Sequence, residues 1–398
     1  MALSKTIRGQ MKESSWIRRM FEEGIQLRKV HGADKVFDLS LGNPILEPPA
    51  EFSRELSRIA SDPATGTHRY MPNAGFLDTR AAVAKSLRND SGTPFTADEI
   101  IMTCGAAGAL NVTLRALLDP GDEVVILSPY FAEYLFYVSH QNGVAKIARC
   151  DNRFMPDPVR LAAALSPRTR AVIINSPNNP TGVVYPESAV AAMAKLVRDA
   201  EEKFGTEIYL ISDEPYRKLI FTSDPYPFVF RHHPRTIVAT SHSKDLGLAG
   251  ERIGFIAINP ACPDKSDFID AAVFANRTLG FVNAPALMQR IVAHLQDASI
   301  DVDVYRKKRD FLYGALTEIG YECVRPDGAF YLFPKSPLPD DREFIRLLQS
   351  KLVLAVPGVG FGTAGYFRIS YCVDDRTLEG SVKGFRDAFR EARSDAHR

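Results

Sequence analysis

The chain has 398 residues, 45% of them hydrophobic and 24% charged. That length supports two or three domains and a core that needs no disulfide or metal staple. Lys and Arg total 49 against 48 Asp and Glu, a net charge of +1 with no basic block, which argues against nucleic acid as a partner; no apolar run approaches the roughly 20 residues of a membrane helix. In chain order, residues 11–30 carry Met11, Ile17, Met20, Phe21 and Ile25 among charges, the spacing of an amphipathic helix. LSLGNPILEPP follows, and its Gly/Pro-rich part, 40–49, reads as a crossing between two domains.

From residue 100 onward the pattern changes. Short runs rich in Val and Ile occupy 123–129, 171–177, 208–215, 236–243 and 253–258. They are mostly continuous rather than alternating, as in strands covered on both faces. Helical spacing lies between them, at Ala107, Leu110, Leu114 and Leu117 and over 187–204. Strand and helix in alternation predict an α/β domain with a mainly parallel sheet flanked by helices, and a ligand at the carboxyl ends of the strands. Those ends carry Ser128, Asn175 to Thr181, Asp213 and Ser241 to Lys244. After 285 the pattern is mostly helical, with strand-like pieces at 328–334 and 366–372. The expected division is a large domain, 50–284, and a smaller α+β domain built from 1–49 and 285–398.

The remaining signals are exclusions. Cys104, Cys150, Cys262, Cys323 and Cys372 are scattered with no CxxC pair, which reads as reduced thiols in a cytoplasmic protein. The eight histidines form no HExxH or HxH pair, so no metal site is expected. The N-terminus begins basic but lacks an apolar core and a small-residue cleavage site, and Glu13, Glu22 and Glu23 argue against a transit peptide. PGVGFG, 357–362, lacks the helix start and acidic partner of a dinucleotide loop.

The chemistry concentrates in SHSKDLGLAGERIGF, 241–255. Lys244 directly follows an apolar strand, is flanked by hydroxyl residues and precedes a glycine-bearing turn and Arg252. Partial desolvation at the mouth of a buried sheet lowers a lysine's pKa and makes it a candidate Schiff-base nucleophile. A lone lysine after a strand is more often simply solvated. The surrounding residues reverse that balance, because the stretch resembles the cofactor-lysine motif of pyridoxal-phosphate-dependent aminotransferases of class I/II, of fold type I. Further family motifs follow in family order: LGNP (41–44), HRYMPNAG (68–75), TCGAAGAL (103–110), SPYFAEY (128–134), NSPNNPTG (175–182), SDEPYRKL (212–219), DGAFYLF (327–333) and FRISY (367–371).

The resemblance implies a role for each position. Lys244 binds the cofactor, pyridoxal 5'-phosphate, as a Schiff base and serves as the acid–base catalyst. Asp213 pairs with the pyridine nitrogen; Tyr216 and Asn179 bond the phenolic oxygen. Ala106 and Ala107 offer backbone N–H groups to the phosphate at a helix start, although GAAGAL alone equally suits a tight turn. Ser241 and Arg252 complete that phosphate site, with Ser243 a weaker candidate. Phe131 stacks on the ring, with Tyr130 as runner-up. Tyr70 reaches the phosphate of the neighbouring subunit, which implies a homodimer. Arg368 clamps the substrate α-carboxylate, for which a planar fork is suited, and Gly42 lets that carboxylate approach the backbone.

The function implied is transfer of an amino group between an amino acid and a 2-oxo acid with ping-pong kinetics. A C–S lyase or another reaction on the same scaffold shares the cofactor motifs. A non-enzymatic regulator is a further alternative, disfavoured by neutral charge and by the short stretch ahead of the domain crossing. No second substrate arginine assigns a dicarboxylic substrate. Ile45 and Leu46 beside Gly42 hint at an aliphatic or aromatic one, and glutamate with 2-oxoglutarate is the default pair for the family.

Overall fold

The computed structural model describes residues 3–13, 16–63 and 66–395. Its strands, in chain order, are β1 (Phe37–Asp38), β2 (Ile100–Thr103), β3 (Glu123–Ser128), β4 (Val144–Arg149), β5 (Thr169–Asn175), β6 (Tyr209–Asp213), β7 (Thr236–Ser241), β8 (Gly254–Ile258), β9 (Tyr331–Leu332), β10 (Val353–Leu354), β11 (Val356–Pro357) and β12 (Phe367–Ser370). Seven of them form one sheet in the order β2-β8-β7-β6-β5-β3-β4. β8 runs antiparallel to both neighbours, and the other pairings are parallel.

The continuous apolar runs explain this sheet. In β3, Val124 and Ile126 pack with the helices Gly105–Leu117 and Lys265–Thr278 on one face. Val125 and Leu127 pack on the other face, in the core that includes Val190, Met193 and Val197 of the helix Glu187–Phe204. Side chains alternate across a strand, so burial on both faces requires every position to be apolar. The sequence expectation missed β4 and β2. β4 is an edge strand whose Lys146 and Arg149 interrupt the apolar pattern, as edge strands do. β2 is only four residues long.

The chain leaves β3 for the edge strand β4 and returns to β5 on the other side of β3. Such a reversal opens a crevice at the carboxyl ends of the strands on either side. β3 ends at Ser128, β5 at Asn175, β6 at Asp213 and β7 at Ser241.

Outside this sheet, β1 pairs in parallel with β10, so residues 37–38 are joined to 353–354. β11, β12 and β9 form an antiparallel sheet. The helices Val302–Ile319, Asp341–Ser350 and Asp375–Asp395 lie on these pieces, with Leu316, Phe344 and Phe385 buried among Phe367 and Ile369. The N-terminal helical expectation over 11–30 divides between two helices, Lys5–Glu13 and Trp16–His31; Met20 is buried, and the side chains of Ile17 and Phe21 lie outside the described residues. The helix Ala286–Val292 packs with the helix Leu77–Ser91 through Met288, Ile291, Val83 and Leu87. No helix among the described residues is long and apolar enough to cross a membrane.

Candidate active site

A cavity of about 330 Å³ opens at the carboxyl end of the sheet. Gly42, Ala106, Ala107, Phe131, Asn179, Asp213, Tyr216, Ser241, Ser243, Lys244, Arg252 and Arg368 all line it. Tyr70 and Tyr130, also singled out in the sequence, do not line it, nor does Ser128. Tyr70 is 90% exposed on the surface. Tyr130 is buried under Gly362, where a Cβ would come within 2.4 Å of its ring, and its N–H donates to the Phe361 carbonyl. The PGVGFG segment therefore packs on Tyr130, and Phe131 is the aromatic that faces the cavity. Ile45 and Leu46 do not line it: Ile45 is exposed and Leu46 packs against the core.

Lys244 follows β7 by three residues, and its ammonium donates to the Gly42 carbonyl at 2.9 Å. Burial pushes its amine down to about 8; Arg252 and Arg368 push the same way against the thiol of Cys372. Gly42 is held against Tyr331, whose hydroxyl would lie 2.0 Å from a Cβ at that position. The hydroxyls of Tyr331 and Tyr216 share a hydrogen bond of 2.9 Å.

Asp213 ends β6 and is 4% exposed. Burial raises its carboxyl to about 7, although the Tyr134 hydroxyl donates to Oδ2 and stabilises the charged form. Asn175 donates to the Asp213 carbonyl at 3.0 Å. Oδ1 is buried without a hydrogen-bond partner. A buried, unsatisfied carboxylate oxygen costs free energy unless something completes it.

Arg368, on β12, is 2% exposed. One Nη donates to Asn179 Oδ1 at 3.0 Å and the other to the Ser40 carbonyl at 2.6 Å; Nε has no partner. The rings of Tyr331 and Phe361 lie 4.7 Å from its guanidinium carbon, measured to their centroids. This fixes a planar, desolvated fork at the cavity wall.

At the other wall the helix Gly105–Leu117 starts directly after β2. Gly105 has φ +70°, and a Cβ there would meet the Arg252 guanidinium at 2.8 Å. The free backbone N–H groups of the first turn, at Ala106 and Ala107, thus share a corner with a cation and with the hydroxyls of Ser241 and Ser243. Arg252 itself has φ +53° and is tied back to the Ala249 carbonyl at 2.9 Å.

Residues 34–385 match the family described as aminotransferase class I and II. This chain belongs to that family. It is 35% identical to the probable aspartate/prephenate aminotransferase of Thermus aquaticus, over 92% of this chain and 94% of that protein. A crystal structure of an amino transferase from Eubacterium rectale is 37% identical with a TM-score of 0.95, covering 98% of this chain and 99% of that one. The aspartate aminotransferase of Thermus thermophilus, solved with maleate, is 28% identical with a TM-score of 0.86, covering 98% and 100%. The chain is therefore a pyridoxal-phosphate-dependent aminotransferase of fold type I.

The residues present fit the cofactor of these aminotransferases. The orphaned Oδ1 of Asp213 suits a protonated ring nitrogen, the Gly105–Arg252 corner suits a phosphate, and Lys244 suits an aldehyde carbon.

Glu133, Tyr134 and Tyr331, which line or support the cavity, escaped the sequence reading, and Asn175 was placed at a strand end without a role. Each sits inside a motif quoted for the resemblance, so motif membership was the available signal. Their contacts arise only when separate strands converge. Asn175 also accepts the Asn179 N–H at 2.8 Å, which aims the NSPNNPTG turn at the cavity.

Proposed function

We propose that this aminotransferase works through Lys244, Asp213 and Arg368 as one unit. The observation that carries this is the convergence of all three on a single cavity, with the lysine amine brought down to about 8. Bound pyridoxal phosphate supplies the electron sink that takes up the charge left by the departing α-proton. Arg368 grips the α-carboxylate of the amino acid beside Gly42, and Lys244, once free, takes the α-proton as general base. Asp213 holds a proton at the ring nitrogen. Tyr216 and Asn179 would bond the phenolic oxygen, Phe131 would hold the ring, and Ala106, Ala107, Ser241 and Arg252 would hold the phosphate.

Tyr70 completes the phosphate site of the neighbouring subunit in a homodimer, a role that its exposure on a single chain supports. Residues 50–284 form the cofactor-holding domain, and 1–49 with 285–398 form the domain that brings Arg368. The β1–β10 pairing supports this division, while the helix Ala286–Val292 sides with the large domain. The enzyme acts in the cytoplasm, which its free cysteines support.

The test is stoichiometric. Holoenzyme mixed with an amino acid and no acceptor is expected to yield one equivalent of 2-oxo acid per subunit and stop, then turn over when a second 2-oxo acid is added. Continuous release of pyruvate and ammonia without acceptor would overturn the proposal in favour of elimination.

A further inference from the structure

Among the described residues that line it, the cavity holds one carboxyl group that the reaction does not use. Glu133 begins the helix Glu133–His140, two residues after Phe131, and lines the cavity with Tyr137, Tyr331 and Arg368. Its Oε2 is buried without a hydrogen-bond partner. Burial raises the pKa of its carboxyl, while its own backbone N–H and Arg368 favour the charged form; both terminal nitrogens of Arg368 are engaged by Asn179 and Ser40. No ion pair of Glu133 is found among the described residues.

The charges of the cavity sharpen this. The basic side chains that line it are Lys244, Arg252 and Arg368. On the functional reading above, these serve the cofactor aldehyde, the phosphate and the α-carboxylate. Among the described residues that line the cavity no further cation remains to meet a second carboxylate, and Glu133 places a carboxyl group in the space left for a substrate side chain. A desolvated carboxylate with open lone pairs attracts a cationic donor and repels a like charge.

We propose that Glu133 is a specificity-determining residue, accepting a hydrogen bond from a substrate side chain that ends in an ammonium or guanidinium group and turning away dicarboxylic amino acids. This rests on Arg368 as the α-carboxylate clamp. It separates the chain from relatives whose names carry aspartate.

The experiment measures kcat/KM of the amino-acid half-reaction on holoenzyme with ornithine, arginine, norvaline, glutamate and aspartate. Wild type is expected to favour ornithine or arginine over both acids by about tenfold or more. In Glu133→Gln the glutamate-to-norvaline ratio is expected to rise, and the ornithine-to-norvaline ratio to fall, each by about tenfold. Glu133→Asp, which keeps the charge, should keep the wild-type order, and it carries the test if the glutamine variant does not fold.

A wild-type preference for aspartate or glutamate overturns the inference. So does a Glu133→Gln variant in which every amino acid changes by the same factor, because Glu133 would then be only a resting counter-ion of Arg368. If none of the amino acids reacts, the proposed function falls as well; if they react without a change in the ratios, only the inference falls.

Discussion

The two ends of the large sheet both bury charge, and they treat it differently. At the amino end Glu123, the first residue of β3, is 1% exposed, but Ser166, Arg168 and Lys146 reach its carboxylate at 2.6, 2.8 and 3.4 Å. Burial would raise its pKa; those partners outweigh burial and hold it below the usual carboxylate range. Arg235, just before β7, is likewise closed by Asp264 at 3.0 Å and Glu207 at 2.9 Å. At the carboxyl end Asp213 is pushed up to about 7 with one oxygen orphaned, Lys244 is pushed down to about 8, and Arg368 Nε has no partner. A charge completed by its own chain stabilises the fold. A charge left open is completed by a ligand, and that difference marks the working end of the sheet.

Substitutions at the two ends should therefore fail in different ways. The largest effect below complete loss is expected for Asp213→Asn, which keeps volume but removes the open carboxylate that we propose as partner of the ring nitrogen. Its kcat should fall about 10³-fold, as when an electrostatic partner of a transition state is removed, with the unfolding midpoint of the apoprotein unchanged or raised. A coincident loss of stability would place Asp213 with the structural charges. Arg368→Lys should lower kcat/KM about 10²-fold through loss of the planar fork, with lysine unable to reproduce two parallel bonds to a carboxylate. Steady-state kinetics with a neutral amino acid checks it.

The pH dependence comes next. Only the neutral amine of Lys244 can attack an aldehyde, and its pKa is lowered, so the neutral fraction grows as pH rises toward about 8 and then levels. The rate of reconstitution of apoprotein with pyridoxal phosphate should rise about tenfold per pH unit below that point and flatten above it. A rate still climbing at pH 10 would mean an unperturbed lysine. The smallest effect on activity belongs to Glu123→Gln. It should cost about 1–3 kcal/mol of stability in urea unfolding while kcat/KM stays within about threefold.

The same contrast explains what was legible in the sequence. β3, β5, β6, β7 and β8 announced themselves because burial on both faces demands continuous Val and Ile. β4 did not, because an edge strand keeps Lys146 and Arg149. The two-residue strands β1 and β10 have no local signal at all; they exist because residues 316 positions apart in the chain pair, as Phe37 does with Val353. In the site, Lys244, Asp213 and Arg368 could be read from their motifs. The hydrogen bond of Tyr134 to Asp213 and that of Tyr331 to Tyr216 could not, since each joins segments brought together only by tertiary packing.

The most direct test of an open, ligand-seeking charge at Lys244 is the visible absorption spectrum of purified protein with pyridoxal phosphate, before and after addition of amino acids, beside Lys244→Ala. The account predicts the band of a lysine-bound cofactor in wild type, its loss on conversion by an amino acid and its return with a 2-oxo acid, and no such band or turnover in the variant. A wild type without that band, or a Lys244→Ala protein that keeps it and still turns over, would contradict it.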